Sequence, residues 1–219
     1  MDTKKHTWAF FFYALAAFAV LALELVLMLA ENAVYGAPME IWQKRPNTVL
    51  LHWFLIWLIW GGADFLIVKL AKKHLDFKVF DFTRDKPTIR GFCVIAVCAI
   101  AYAVYVTIDW NGFKPYLEFQ YHGVVKFCFQ YIYYMFECIA YWLIIVFAQK
   151  FGEKLWKNPK IPYGGIMVGL TWGLGHILTK NLSTGLESLV SGVLFGIIYL
   201  ASKKNAKFAF PVILLIWWI

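Results

Sequence analysis

Two ionisable residues lie deep inside apolar runs toward the C-terminal end of the chain: Glu137 in Tyr133-Tyr-Met-Phe-Glu-Cys-Ile-Ala-Tyr-Trp142, and His176 in Gly169-Leu-Thr-Trp-Gly-Leu-Gly-His-Ile-Leu178. A membrane penalises an unpaired polar group at such depth, so an ionisable residue kept there is a functional-site candidate. A carboxylate and an imidazole are also the smallest set that activates a water molecule, and hydrolysis is the chemistry this pair suggests. Each residue also has a purely structural reading. Glu137 would then hydrogen-bond a carbonyl or tyrosine of a neighbouring helix, and His176 would bridge two helices or bond Thr171 or Thr179 on its own turn.

The elements that carry the pair are set by composition. Hydrophobic residues make up 62% of the 219 and charged residues 16%, with a mean hydropathy of +0.64, which points to an integral membrane protein rather than a soluble domain. The net charge of +8 does not indicate nucleic-acid binding, because the basic residues fall in short blocks between apolar runs, as membrane orientation signals do.

Seven apolar segments follow one another, at about residues 8–33, 49–71, 91–110, 124–148, 163–179, 184–202 and 206–219. Most approach the roughly 20 residues needed to cross a hydrocarbon core, and the last is short. Sixteen of the 21 basic residues fall on one side of this arrangement, seven of them between Lys69 and Arg90, and five fall on the other: Lys44, Arg45, Lys114, Lys126 and Lys180. The positive-inside rule then places the N-terminus in the cytoplasm. The expected fold is an all-α polytopic bundle of about seven transmembrane helices in the cell membrane. Residues 1–123 would form three N-terminal helices with a basic cytoplasmic loop, and residues 124–219 a four-helix core.

Cys93, Cys98, Cys128 and Cys138 all lie in apolar runs and read as small buried residues rather than disulfide partners or metal ligands. Gly169 and Gly173, like Gly192 and Gly196, are four apart, so the fifth and sixth segments are expected to pack closely. Phe77, Val79, Phe80 and Phe82 stand among the charges of the loop 72–90; this loop is an ordinary basic connector or lies against anionic headgroups. The 43 aromatic residues suit lipid-facing and interfacial positions, or the lining of a groove for an acyl or isoprenoid chain.

The C-terminal block resembles the CPBP family, the CAAX prenyl protease and bacteriocin-processing membrane proteins also called Abi proteins. That family has a four-helix core with Glu-Glu-x-x-x-Arg on the first helix, Phe-x-x-x-His on the second, and His-x-x-x-Asn or a close variant on the last. Trp172-Gly-Leu-Gly-His176 is similar to the second motif, and Ser191-Gly-Val-Leu-Phe-Gly-Ile-Ile-Tyr199, a basic turn and Pro211 look like the third helix and the entry to the fourth. The likeness covers roughly the last 85 residues. Cys138 stands where the second Glu would be and Trp142 where the Arg would be; with Pro211 aligned, Leu215 and Ile219 take the places of the last-helix His and Asn.

The resemblance implies that Glu137 is the general base and His176 its partner, with the oxyanion donors missing. Removing one such donor typically lowers turnover by about 10² to 10³. Hence the expected function is a degenerate Glu/His intramembrane protease with weak or no peptidase activity. The alternative is a non-catalytic peptide- or lipid-binding protein, either an immunity protein or an accessory subunit of a membrane complex. Implied partners are membrane lipid, a peptide or prenylated or otherwise lipidated substrate, and a membrane-protein partner. No cofactor and no metal is expected: a catalytic zinc takes three protein ligands, and the pair falls short unless His52, Asp64 or His122 joins it. His52 and Asp64 are about 18 Å apart along one helix and cannot share an ion. Among the remaining buried charges, Glu24 is expected to pair with Lys126 or a tyrosine, and Lys69 to snorkel.

Overall fold

The structure is a computed structural model that describes residues 3–219, and no strand occurs among the described residues. The chain runs through α1 (Thr3–Tyr35), a single turn α2 (Met39–Trp42), α3 (Pro46–Leu75), α4 (Ile89–Asp109), α5 (Lys114–Trp156), α6 (Tyr163–Val168), α7 (Leu174–Thr179), α8 (Leu182–Ala201) and α9 (Ala206–Trp218). Five of these helices, α1, α3, α4, α5 and α8, are long and apolar enough to cross a membrane, so the protein is an all-helical membrane protein. The stretch 163–179 and the 13-residue α9 are apolar but shorter.

Local chemistry sets the ends. Pro46 opens α3, where its missing N–H is not needed. Thr88 and Asn181 cap α4 and α8 by accepting the backbone N–H of Gly91 (3.1 Å) and Thr184 (2.9 Å). Asp76 and Lys157 close α3 and α5 in the left-handed conformation. Within α5, Gly123 (φ 68°, ψ 174°) is non-helical and divides a short arm, 114–122, from a long one, 124–156. Only glycine adopts such a backbone without strain.

The long arm of α5 is the axis of the fold. From Glu137 to Gln149 it is buried on nearly every face, as a helix surrounded by others must be. It contacts α1 and α3 on one side and α6, α8 and α9 on the other. The residues expected to form two halves of the chain thus share one core, with Phe10, Ala14, Ile56 and Trp60 packed in the same cluster as Leu143, Phe195 and Ile213.

The close pairing expected of the fifth and sixth segments is present, and glycines carry it. A Cβ on Gly165 would lie 2.4 Å from the Gly192 carbonyl, and one on Gly164 would lie 2.2 Å from that of Ile145. Between α6 and α7, Gly169–Gly173 forms a π-helical turn. Such insertions re-aim the side chains that follow them.

The apolar residues of the loop after α3 turn mostly into the protein. Phe77 packs on Phe10 (5.1 Å between ring centroids) and Phe147 (5.8 Å), Phe80 stacks on Trp142 (5.9 Å), and Val79 is buried; Phe82 alone of the four is exposed. Asn205 at the start of α9 donates its side-chain amide to the Arg84 carbonyl, and the Ala206 N–H donates to that of Asp81 (3.0 Å). These bonds fasten the loop to the turn between α8 and α9. The cysteines divide: Cys98 and Cys138 are buried as expected, whereas Cys93 on α4 and Cys128 on α5 are exposed.

Gly165→Val should lower thermal stability by about 1 to 3 kcal/mol or prevent folding, because the added carbons meet backbone that cannot yield. Gly62→Ala, with nothing within 4 Å of the new Cβ, should be neutral or slightly stabilising. Thermal unfolding in detergent, followed by size exclusion, compares the two.

Candidate functional site

A cavity of about 420 Å³ occupies one end of the bundle, and both Glu137 and His176 line it. Its position follows from its walls. Met39 and Gln43 belong to the connection after α1, Trp110 and Lys114 to the α4–α5 turn, and Lys180 and Thr184 to the α7–α8 turn. All of these connections lie at the end opposite the start of α1, so the mouth opens there.

Two polar stripes face each other across the space. On α5 the lining residues are Gln130, Tyr133, Tyr134 and Glu137; on α8 they are Thr184, Glu187, Ser188 and Ser191. Both follow the i, i+3, i+4, i+7 spacing that puts side chains on one helix face. His52 and Glu24 add a wall from α3 and α1, Trp172 and His176 one from the π-turn and α7, and Trp217 one from α9. Seven of the lining residues are Trp or Tyr, so a share of the aromatic residues serves a groove rather than the lipid belt.

Glu137 is buried, and Trp217 lines the same cavity. The imidazole ring of His176 lies 4.5 Å from the indole of Trp172, one turn earlier. A neutral imidazole offers one donor and one acceptor nitrogen. Thr171 and Thr179 do not reach the ring; their hydroxyls donate to the Met167 and Gly175 carbonyls, each at 2.8 Å. Among the described residues no hydrogen bond or ion pair joins Glu137 to His176, and the space between the walls is open to a third molecule.

Trp142 and Leu215, which stand in motif positions of the resemblance, are elsewhere. Trp142 is fully buried among Phe80, Tyr199 and Phe210, and Leu215 is 57% exposed on the outer face of α9. The two tyrosines beside Glu137 have hydroxyls already committed. Tyr133 donates to Glu24 (2.9 Å) and Tyr134 to Glu118 (2.9 Å), while the side-chain oxygen of Asn181 caps α8.

The acceptor of Tyr133 belongs to a cluster that inspection of apolar runs does not reveal. His52, buried, has Nδ1 2.6 Å from Glu31 and Nε2 3.4 Å from Glu24, so one imidazole bridges two carboxylates of α1. Glu24 and Glu31 are seven apart, two turns on one helix face, and that spacing is the signal that was available. Glu24 takes the tyrosine expected of it, not Lys126. Glu118, on the short arm of α5, accepts from Gln130 (3.1 Å), Tyr131 (2.9 Å) and Tyr134, which holds the arm against the long one. Glu118 and Glu187 lie in amphipathic stretches rather than apolar ones and so escape a search for isolated intramembrane charges.

Asp64 is also buried, away from the cavity, and neither carboxylate oxygen has a hydrogen-bond partner; Lys69 is exposed. His122 lies beside the rings of Trp53 and Tyr121. No three His, Cys, Asp or Glu residues converge as metal ligands among the described residues. No protein-family model, curated protein or solved structure matches the chain.

His52→Ala should destabilise the protein by about 3 kcal/mol, because two carboxylates lose the group between them in a buried setting. Glu31→Gln should cost less, since an amide still meets the ring. Separately, in a cysteine-free background, Ser188→Cys should react with a charged water-soluble thiol reagent, and a cysteine restored at buried position 138 should not. Mass spectrometry of the labelled protein reads both.

Proposed function

We propose that this chain is a seven-helix protein of the cell membrane with a cytoplasmic N-terminus, and that its cavity is a degenerate site of the CPBP type with weak peptidase activity. The observation that carries this reading is that Glu137 and His176, on separate helices, line one polar cavity. The remaining two spans of the seven are the apolar stretches 163–179 and 206–218, which complete a four-helix core with α5 and α8. In this orientation the mouth of the cavity faces the outer side.

The chemistry follows from the side chains present. A peptide carbonyl bound between the walls is attacked by a water whose proton passes to the Glu137 carboxylate, with an imidazole nitrogen of His176 orienting the water, and Glu137 then gives that proton to the leaving amine as the C–N bond breaks. The tetrahedral oxyanion lacks the His and Asn of the family's last helix. Lys114 and Lys180 bring positive charge to the cavity, but long, flexible ammonium groups are poor substitutes for preorganised donors. Slow turnover follows.

The specific observation favouring a second reading, a non-catalytic peptide- or lipid-binding protein, is Leu215 turned outward where the family has a cavity-facing histidine. Cleavage of fluorogenic peptides, prenylated and plain, by the full chain in proteoliposomes separates the two. Hydrolysis that Glu137→Gln and His176→Ala each lower by about 10² or more supports the site. Cleavage unaffected by either variant, or peptide binding with no hydrolysis in the wild type, overturns it in favour of the second reading.

A further inference from the structure

A second, smaller recess opens at the other end of the bundle, where α1 begins and most of the basic residues gather. It measures about 30 Å³, and its walls include Arg84 from the loop after α3, Lys150 and Glu153 from α5, Tyr199 from α8 and Lys204 from the turn that follows. Three cations therefore face one carboxylate. The Oε1 atom of that carboxylate is already shared, since it accepts the Gln149 amide (2.8 Å) and pairs with the Lys204 ammonium. Lys150 is within electrostatic reach of Arg84, Lys154 and Lys204, so like charges are crowded there.

The donors left over select a ligand. Arg84 gives its Nε–H to Asp81 (3.0 Å), and among the described residues its other guanidinium nitrogens bond nothing. Lys150 has no hydrogen bond or ion pair, and Tyr199, only 4% exposed, has a hydroxyl without a partner. A hydroxyl turned into a polar recess with no acceptor is unusual in a folded protein. An anion supplies acceptors to all three groups. They come from three different walls, so a group with oxygens in several directions suits them better than a flat carboxylate, and phosphate oxygens meet the fork of a guanidinium in pairs. The donors are also held in place. Asp81 accepts the N–H and the hydroxyl of Thr83 (3.0 and 2.6 Å), and the loop that carries Arg84 is tied to Asn205 and Ala206. Lys203 and Lys204 both adopt left-handed backbone (φ 56° and 61°), a conformation that favours glycine, and from that turn Lys204 reaches Glu153.

We propose that this recess binds one phosphate group, with one oxygen inside against the Tyr199 hydroxyl and the others at the rim on Arg84 and Lys150. A space of about 30 Å³ admits a single oxygen with its hydrogen bonds, as it would a water. Arg84 is exposed and Lys150 half-buried, so both can reach the part of the group that stays outside. Tyr199 is two residues from the end of α8 and Lys150 six from the end of α5, about 3 and 9 Å along their axes, which is where spanning helices meet headgroups. The phosphate belongs to a bilayer lipid or to a soluble compound; both present the same oxygens. This site lies at the opposite end from Glu137 and His176 and does not depend on the chemistry proposed for them.

The test uses the full chain in dodecyl maltoside micelles, which carry no phosphate, with added dioleoylphosphatidic acid or dioleoylglycerol, two lipids that differ by the phosphate alone. Native mass spectrometry reads the bound lipid, and thermal unfolding reads its effect on stability. Expected is retention of the phosphatidic acid at least about tenfold over dioleoylglycerol, lost by about tenfold in Lys150→Met and by about threefold in Tyr199→Phe, which keeps the ring. Lys160→Met, at an exposed position outside the recess, should retain the lipid as the wild type does. Displacement of the lipid by millimolar inorganic phosphate assigns a soluble ligand, and retention in its presence assigns the lipid. Equal retention of the two lipids overturns the proposal. So does a loss in Lys160→Met as large as that in Lys150→Met, which would mean diffuse surface charge, or wild-type retention in folded Lys150→Met and Tyr199→Phe.

Discussion

The glycine seam between 163–179 and α8 is the contact on which the site depends. Lipid tails solvate apolar side chains as well as other helices do, so what holds membrane helices together is close packing. At Gly165, Gly192 and Gly196 the two backbones come closer than any side chain permits. Gly164 brings the same stretch onto the carbonyl of Ile145 in α5, and Gly152 receives the ring of Tyr163. The seam between 163–179 and α8 continues to the mouth end, where a Cβ on Gly185 would lie 2.9 Å from the Gly173 carbonyl. The cavity lies between this pair and the outer half of α5, whose polar stripe faces that of α8.

Polar side chains then determine that the space stays open rather than collapsing. Buried polar groups need partners, and a helix face carrying Glu187, Ser188 and Ser191 cannot close on one carrying Tyr133, Tyr134 and Glu137 without matching every donor to an acceptor. Several are matched locally. Ser188 and Ser191 return their hydroxyls to carbonyls of their own helix, at 2.8 and 3.1 Å, and Tyr133 and Tyr134 give theirs to Glu24 and Glu118. Glu137, His176, Glu187 and the two lysines are left facing the cavity, where solvent or a ligand completes them. At the opposite end Gln149, Glu153 and Lys204 close a network among the ends of α5, α6 and α8. Gln149 alone donates to Glu153 (2.8 Å) and the Ile161 carbonyl (3.0 Å) and accepts the Gly164 N–H (3.1 Å).

The helices were legible because apolar runs of sufficient length have few other solutions in a membrane. Their observed bounds differ mainly where polar residues continue a helix past its apolar part, as Lys72 to Leu75 do in α3 and Lys114 to His122 do at the start of α5. The pairing of the fifth and sixth segments was legible from glycine spacing, because small residues leave few other uses for such a face. Glu137 and His176 were found from their isolation among apolar neighbours. Their companions were not, since periodicity assigns a residue to a face but does not name the face opposite. The stripe Thr184, Glu187, Ser188, Ser191 is visible in the sequence, and so is the pair Glu24 and Glu31. That both stripes and His52 meet the same region is a property of the packing, and the first 123 residues, without a motif, supply a wall of the site.

The state of the last helix bears most directly on what the cavity does. α9 contributes Trp217 to the lining and sends Leu215 outward, so the helix presents an indole to the cavity. An indole carries a single N–H and no charge, so α9 adds shape and at most one donor to a lining whose charges come from other elements. What the cavity can hold is therefore set by Glu24 on α1, Lys114 and Glu137 on α5, Lys180 in the α7–α8 turn and Glu187 on α8, residues that only the packing brings together.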